Sequence, residues 1–195
     1  MLKVNNLSLE RGGRKLFERI SFHVSGGQVL QIKGANGSGK SSLLQVLAGD
    51  LKPTSGEVLI DGKSKIDLIS LTQKLGYLPQ ELAIDFPISV FDFLQMAKPK
   101  VDLGPVLTRF ELEELQDKKM TELSLGQIQR VQIAQIVFQD PEIYLLDEPF
   151  SAQDQEHIQL ILRILSELKT SGKSVLLTNH IDMNLNSLID LELNL

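Results

Sequence analysis

Gly34-Ala35-Asn36-Gly37-Ser38-Gly39-Lys40-Ser41 fits the pattern G-x-x-x-x-G-K-[ST] at every position. Its context fits too. The apolar stretch Val29–Lys33 reads as a strand before it, and Ser41–Ala48 has helical apolar spacing after it, at Leu43, Leu44 and Leu47. Glycines let the backbone turn tightly, so that successive N–H groups face inward at phosphate oxygens. A helix N-terminus adds partial positive charge. Lys40 is expected to reach the β- and γ-phosphates and Ser41 to ligate Mg²⁺, with Ser42 closing the nucleotide-binding set. The octapeptide therefore predicts an α/β chain that binds ATP with Mg²⁺.

A second stretch supplies acids. Ile143-Tyr144-Leu145-Leu146-Asp147-Glu148 is an apolar run ending in two carboxylates, and Pro149 closes it. In open α/β sheets, ligands bind at the C-terminal ends of strands, so this run would bring Asp147 and Glu148 beside the phosphate loop. Asp147 is expected to hold Mg²⁺ and Glu148 to act as general base on the attacking water. His180 follows the strand-like Ser174–Thr178, and Gln80 follows Leu75–Leu78. Taken alone, each reads equally well as a loop residue.

Outward from these motifs, Leu2–Leu9 alternates apolar and polar residues, Arg11-Gly12-Gly13-Arg14 reads as a turn, and Ile20–Val24 as a strand. Glu57–Ile60 is a further short strand. The opening strands Leu2–Leu9, Ile20–Val24 and Val29–Lys33 have no helices between them and are expected to form an antiparallel side sheet. From about Glu81 to Phe138 the chain is mostly helix-like, interrupted at Pro87, Pro99 and Pro105. Strand Ile143–Leu146, helix Gln155–Lys169, strand Ser174–Thr178, a short helical stretch near Asp182–Ser187 and a strand near Ile189–Leu193 follow. Strands alternating with helices predict a mostly parallel core sheet covered on both faces. The fold class is thus α/β of P-loop type, with an antiparallel side sheet and an inserted helical subdomain at roughly 81–138. The whole of 1–195 is expected to be one domain.

Composition narrows the function. No run of eighteen apolar residues encodes a membrane-spanning helix, and the first residues lack the features of a secretory signal. Cysteine is absent, which excludes disulfides and thiolate metal sites. A net charge of −5 argues against nucleic acid as a partner. Together these point to a cytoplasmic location.

Leu123-Ser124-Leu125-Gly126-Gln127 resembles the LSGGQ signature of the nucleotide-binding domain of ABC transporters. The phosphate loop, Gln80, Asp147-Glu148-Pro149, Ser151-Ala152-Gln153-Asp154 as the D-loop, and His180 as the switch histidine follow in the family order. The resemblance implies an ATPase that powers transport by a separate transmembrane permease, peripheral on the inner face of the membrane. It further implies a second ATPase subunit, with two ATP molecules sandwiched in a homodimer. Ser124, Leu125, Gly126 and Gln127 would then act in trans on the partner's nucleotide, Asp154 would lie at the dimer seam, and Lys40, Glu148 and His180 would carry catalysis. Gln80 would join Ser41 and Asp147 at the metal.

The chain departs from the pattern in three places. Leu125 stands where the signature has its first glycine, and Gln153 where the D-loop commonly has leucine. By spacing, Arg11 occupies the place of the adenine-stacking aromatic; a guanidinium can stack on a base, and Phe17 is the alternative. Arg14–Phe17 and Gln31–Gly34 look like the haem-exporter ATPase of cytochrome c maturation, whereas Gly76–Gln80 and Asp85–Val90 look like zinc and manganese importers. A soluble ABC ATPase acting on ribosomes or DNA is the competing reading, weakened by the single domain and the absence of sustained heptads.

Overall fold

The computed structural model describes residues 1–64, 74–80, 87–151, 153–180, 185 and 187–195. Strand β1 (Leu2–Arg11) turns at Gly12 and Gly13, both at positive φ, into β2 (Arg14–Val24). Positive φ at both central residues is the turn that matches the twist of an antiparallel hairpin. β4 (Ser55–Ile60) pairs with the other edge of β1, and the two-residue β5 (Lys63–Ser64) completes a four-stranded antiparallel sheet, β2-β1-β4-β5. β2 runs longer than Ile20–Val24 because its first half is held by pairing rather than by burial: Arg14, Lys15, Glu18 and Arg19 are all exposed. The alternation in β1 breaks at Asn6 (φ +46), where the register slips between Val4 and Leu7. This bulge keeps Leu2, Val4, Leu7 and Leu9 all buried although Val4 and Leu7 are an odd number apart.

The third opening strand goes elsewhere. β3 (Val29–Lys33) joins a five-stranded parallel sheet in the order β6-β7-β8-β3-β9, where β6 is Leu75–Leu78, β7 Ile143–Leu146, β8 Ser174–Thr178 and β9 Leu191–Asn194. A strand buried on both faces needs a cover on each side, and β3 has one. Val29 packs into one apolar cluster, while Leu30 and Ile32 pack into the other. β7 divides in the same way, with Tyr144 and Leu146 on one side and Ile143 and Leu145 on the other. Helix α1 (Lys40–Ala48) and the antiparallel sheet cover the second face.

Between β6 and β7 the described chain forms α2 (Val90–Gln95), α3 (Gly104–Arg109), two single 3₁₀ turns at Glu113–Leu115 and Met120–Glu122, and α4 (Leu125–Gln139). Two of the helices are only six residues long. Pro105 lies in the first turn of α3 and so starts a helix rather than interrupting one. Helix α5 (Gln155–Thr170) is capped by Asp154, whose carboxylate accepts the His157 N–H at 2.9 Å. β9 begins at Leu191, later than Ile189, because Asp190 is used as a clamp. Its carboxylate accepts the Val29 N–H at 2.8 Å and the Lys169 ammonium at 2.7 Å. Residues 181–184 and 186, which include most of the expected Asp182–Ser187 helical stretch, lie outside the described residues, as do 65–73, 81–86 and Ala152.

The consequence for function is one of direction. β3, β6, β7 and β8 are parallel, so the segments that leave their C-terminal ends emerge on one edge of the sheet. These segments carry the phosphate loop, Gln80, the acid pair and His180.

Candidate nucleotide site

The phosphate loop is closed by its own side chains. Gly34 has φ +154, and a Cβ there would lie 2.5 Å from Ser38 Oγ and 2.8 Å from the Leu195 carbonyl oxygen. Gly39 caps α1 in the left-handed region at φ 104, with the Leu16 Cβ 3.1 Å from where its own Cβ would stand. Only glycine fits either position. Lys40 is 6% exposed, and its ammonium donates to the carbonyls of Gly34 (2.9 Å) and Ala35 (3.1 Å). A buried cation held by neutral carbonyls is poised to take a stronger, anionic acceptor. The start of α1 has no side-chain cap and no acid in its first turn, so its leading N–H groups are free to meet an anion.

These groups border one cavity of about 430 Å³. Asn36, Gly37, Gly39, Lys40, Ser41 and Ser42 form its floor. Gln80, Glu148 and His180 face them from the ends of β6, β7 and β8, and Leu16 lines the remaining side. Gly34 and Ala35 contribute through the carbonyls that hold Lys40, and Ser38 through its backbone N–H, which donates to the Ala35 carbonyl at 3.1 Å.

The acids are held from behind. Asp147 is 1% exposed, and its N–H continues the ladder to the Leu78 carbonyl at 2.9 Å. The Thr178 hydroxyl donates to Asp147 Oδ1 at 2.6 Å and accepts the Glu148 N–H at 2.9 Å. Glu148 leaves the strand line at φ +53, and its Oε1 meets His180 Nε2 at 2.7 Å. Burial, and then the Asp147 carboxylate, push the phenol of Tyr77 on neighbouring β6 well above its ordinary range, so Tyr77 stays neutral beside the site.

Other residues singled out in the sequence lie apart from this cavity. Arg11 is exposed at the end of β1 and is not among the lining residues; Leu16 is the residue of the β1–β2 hairpin that is. Ser124 caps α4, its hydroxyl accepting the Gln127 N–H at 3.3 Å while the Gln127 side chain accepts the Ser124 N–H at 3.0 Å. This reciprocal capping box orders the helix start. Leu125, at the first helical position, is 76% exposed, and Ser124, Leu125, Gly126 and Gln127 line no part of the chain's own cavity. Asp154 is likewise elsewhere. The His157 N–H, and then its ring, hold the Asp154 carboxyl below the usual carboxylate range.

Sequence reasoning missed Thr178 and Leu16. What the sequence offers for Thr178 is a hydroxyl that ends the apolar run Val175–Leu177, with nothing to name its partner.

A family model described as ABC transporter matches residues 17–151. The chain belongs to the ABC transporter ATP-binding family. As an ABC ATPase domain it is similar to the cytochrome c biogenesis ATP-binding export protein CcmA of Idiomarina loihiensis, at 33% identity over all of this chain and 92% of that protein. It is also 33% identical to the zinc import ATP-binding protein ZnuC of Rickettsia bellii, over 86% of this chain and 72% of that one. In structure it superposes on the dimeric ATP-binding cassette MJ0796, solved in a post-hydrolysis state with ADP and Pi. The TM-score is 0.80 and the identity 29%, over 93% of this chain and 88% of that one. The α/β architecture with a parallel sheet and an antiparallel side sheet is that of ABC ATPase domains. The sequence resemblances to an ATPase of cytochrome c maturation and to a zinc importer ATPase each recur among these relatives, at equal identity.

Proposed function

We propose that this ABC ATPase domain hydrolyses ATP and so powers a separate membrane-spanning partner, working as one of two copies that sandwich the nucleotide. The observation that carries the reading is the single cavity in which Lys40 and the start of α1 face Glu148 and His180. Lys40 exchanges the Gly34 and Ala35 carbonyls for phosphate oxygens, and the N–H groups of α1 bind the same triphosphate. A water molecule adds to the γ-phosphorus, the bond to the β–γ bridging oxygen breaks, and Glu148 takes the water's proton. His180, already 2.7 Å from Glu148 Oε1, orients that carboxylate and closes the γ-phosphate side. ADP and phosphate are the products.

Among the described residues, no group of three or more His, Cys, Asp or Glu side chains is placed to hold a metal ion. Magnesium does not require such a cage, since it is bound by one or two carboxylates together with substrate phosphates and water. Ser41 and Gln80 line the cavity and offer oxygens that suit it, while Asp147, buried behind the lining, would reach it through water; when bound it would neutralise phosphate charge.

Ser124, Leu125, Gly126 and Gln127 line no part of their own cavity and sit at a well-capped helix start, which suits contact with the nucleotide of a second copy. The dimeric cassette supports this reading by likeness. Asp154 is assigned to the seam, and the chain to the cytoplasmic face of the membrane beside its permease. Arg11 lies outside the lining of the cavity, so the adenine contact is assigned to the β1–β2 hairpin, where Leu16 reaches the lining. Native extraction from membranes tests the proposal. An integral membrane protein should co-purify and stimulate ATP hydrolysis; recovery with ribosomes instead would overturn it.

A further inference from the structure

Two amides, Gln129 buried and Gln153 half-buried, tie the signature helix to the backbone of Glu148. Gln129 lies on α4, one turn beyond Ser124, and is 7% exposed. Its Nε2 donates to the Glu148 carbonyl at 2.9 Å and to Ser151 Oγ at 2.9 Å. Its Oε1 accepts from Gln153 Nε2 at 2.9 Å, and Gln153 Nε2 also donates to the Gly126 carbonyl at 2.9 Å. Both amide orientations are fixed by chemistry, because the carbonyls of Glu148 and Gly126 can only accept. The result is a continuous path from Gly126 through Gln153 and Gln129 to Glu148.

We propose that Gln153 and Gln129 form a relay that couples the position of the Gly126 turn to the position of Glu148 within one chain, making both of them positioning residues for hydrolysis. The inference rests on the reading of Glu148 as general base and of the α4 start as the surface that meets a second copy's nucleotide. Both hydrogens of the Gln153 amide are committed, so a shift of Gly126 draws on Gln153 and through it on Gln129. Gln129 in turn holds the carbonyl of a residue that stands at φ +53, a conformation with little intrinsic preference. Leucine at position 153 would fill similar space and carry none of these bonds. The amide found here adds a polar connection at the position where the D-loop pattern has an apolar residue.

The test uses the full chain, with turnover expressed per bound nucleotide so that a loss of folded protein does not count. Gln153→Leu is expected to lower kcat for MgATP about tenfold, the size of one lost hydrogen bond, with KM changed less than about twofold. Gln129→Met is expected to act similarly, and the double variant no worse than either single one, since both break the same path. Unchanged turnover per site in Gln153→Leu, or additive losses in the double variant, would overturn the relay. Failure of the wild-type chain to hydrolyse MgATP would instead sink the reading of the site beneath it.

Discussion

The Thr178 hydroxyl donates to Asp147 Oδ1 across 2.6 Å and with its lone pair receives the N–H of Glu148. One side chain on β8 therefore anchors two consecutive acids at the end of β7, one through its carboxylate and the other through its backbone. Thr178 is fully buried, so each bond replaces one that water could otherwise have made. Thr178→Val keeps the shape and removes both. It is expected to cost about 1–3 kcal/mol in denaturant unfolding and to lower turnover, while Thr178→Ser retains most of each. Equal turnover in the valine and serine variants would show that the hydroxyl does not position the acids.

Lys40 carries the phosphate side. Replacing it with alanine removes a cation whose bond to phosphate is charge-assisted. MgATP affinity by titration calorimetry should fall by about tenfold to a hundredfold or more. Affinity equal to that of the wild-type chain would remove the loop from the nucleotide site.

The β1 bulge gives a stability test. A Cβ at Gly56 would lie 2.4 Å from the Asn6 carbonyl oxygen, and Gly56 has φ +87. Gly56→Ala thus combines strain with a backbone clash and should cost more than about 2 kcal/mol. Gly12→Ala meets nothing within 4 Å and carries only the positive-φ cost, about 1 kcal/mol. Urea unfolding of the two variants checks the order, which a clash-free Gly56 would reverse or erase.

Asp154 supplies a pH test. Its carboxyl is held below the usual carboxylate range, first by the His157 N–H and also by the His157 ring. A lowered folded-state value means that the unfolded chain binds the proton more readily. The contribution is therefore complete above the ordinary value of 3.8 and is lost as pH falls through the folded value. Asp154→Asn keeps a capping oxygen but does not titrate. Its melting temperature should fall less steeply than that of the wild-type chain below about pH 4. Parallel curves would contradict the assignment.

The parts of the site that could be read from the sequence are those whose spacing encodes them. Gly34–Ser41 must be contiguous to wrap a phosphate, and an apolar run ending in Asp147-Glu148 must be a buried strand delivering acids. Thr178 was illegible as a site residue because its link to Asp147 depends on the parallel register of β7 with β8, thirty-one residues apart in the chain. β3 follows the hairpin directly in sequence, yet it is apolar toward both clusters and so belongs to the parallel sheet. Counting back from the phosphate loop selects Arg11. The hairpin turns at Gly12 and Gly13, and it is Leu16, on the returning strand, that packs beside Gly39 and lines the cavity. The Gln129–Gln153 connection joins the start of α4 to the segment after β7 that carries Glu148, Ser151 and Gln153, and no local pattern announces it.

Glu148→Gln tests the central claim most directly, because it removes the proton acceptor and leaves the size and hydrogen-bonding reach of the side chain. Phosphate release should be measured at saturating MgATP, alongside sizing chromatography with ATP present. Release should fall by about a hundredfold or more, the range of general-base catalysis, while the variant still binds ATP and elutes as a nucleotide-stabilised dimer. Turnover equal to that of the wild-type chain would contradict the account.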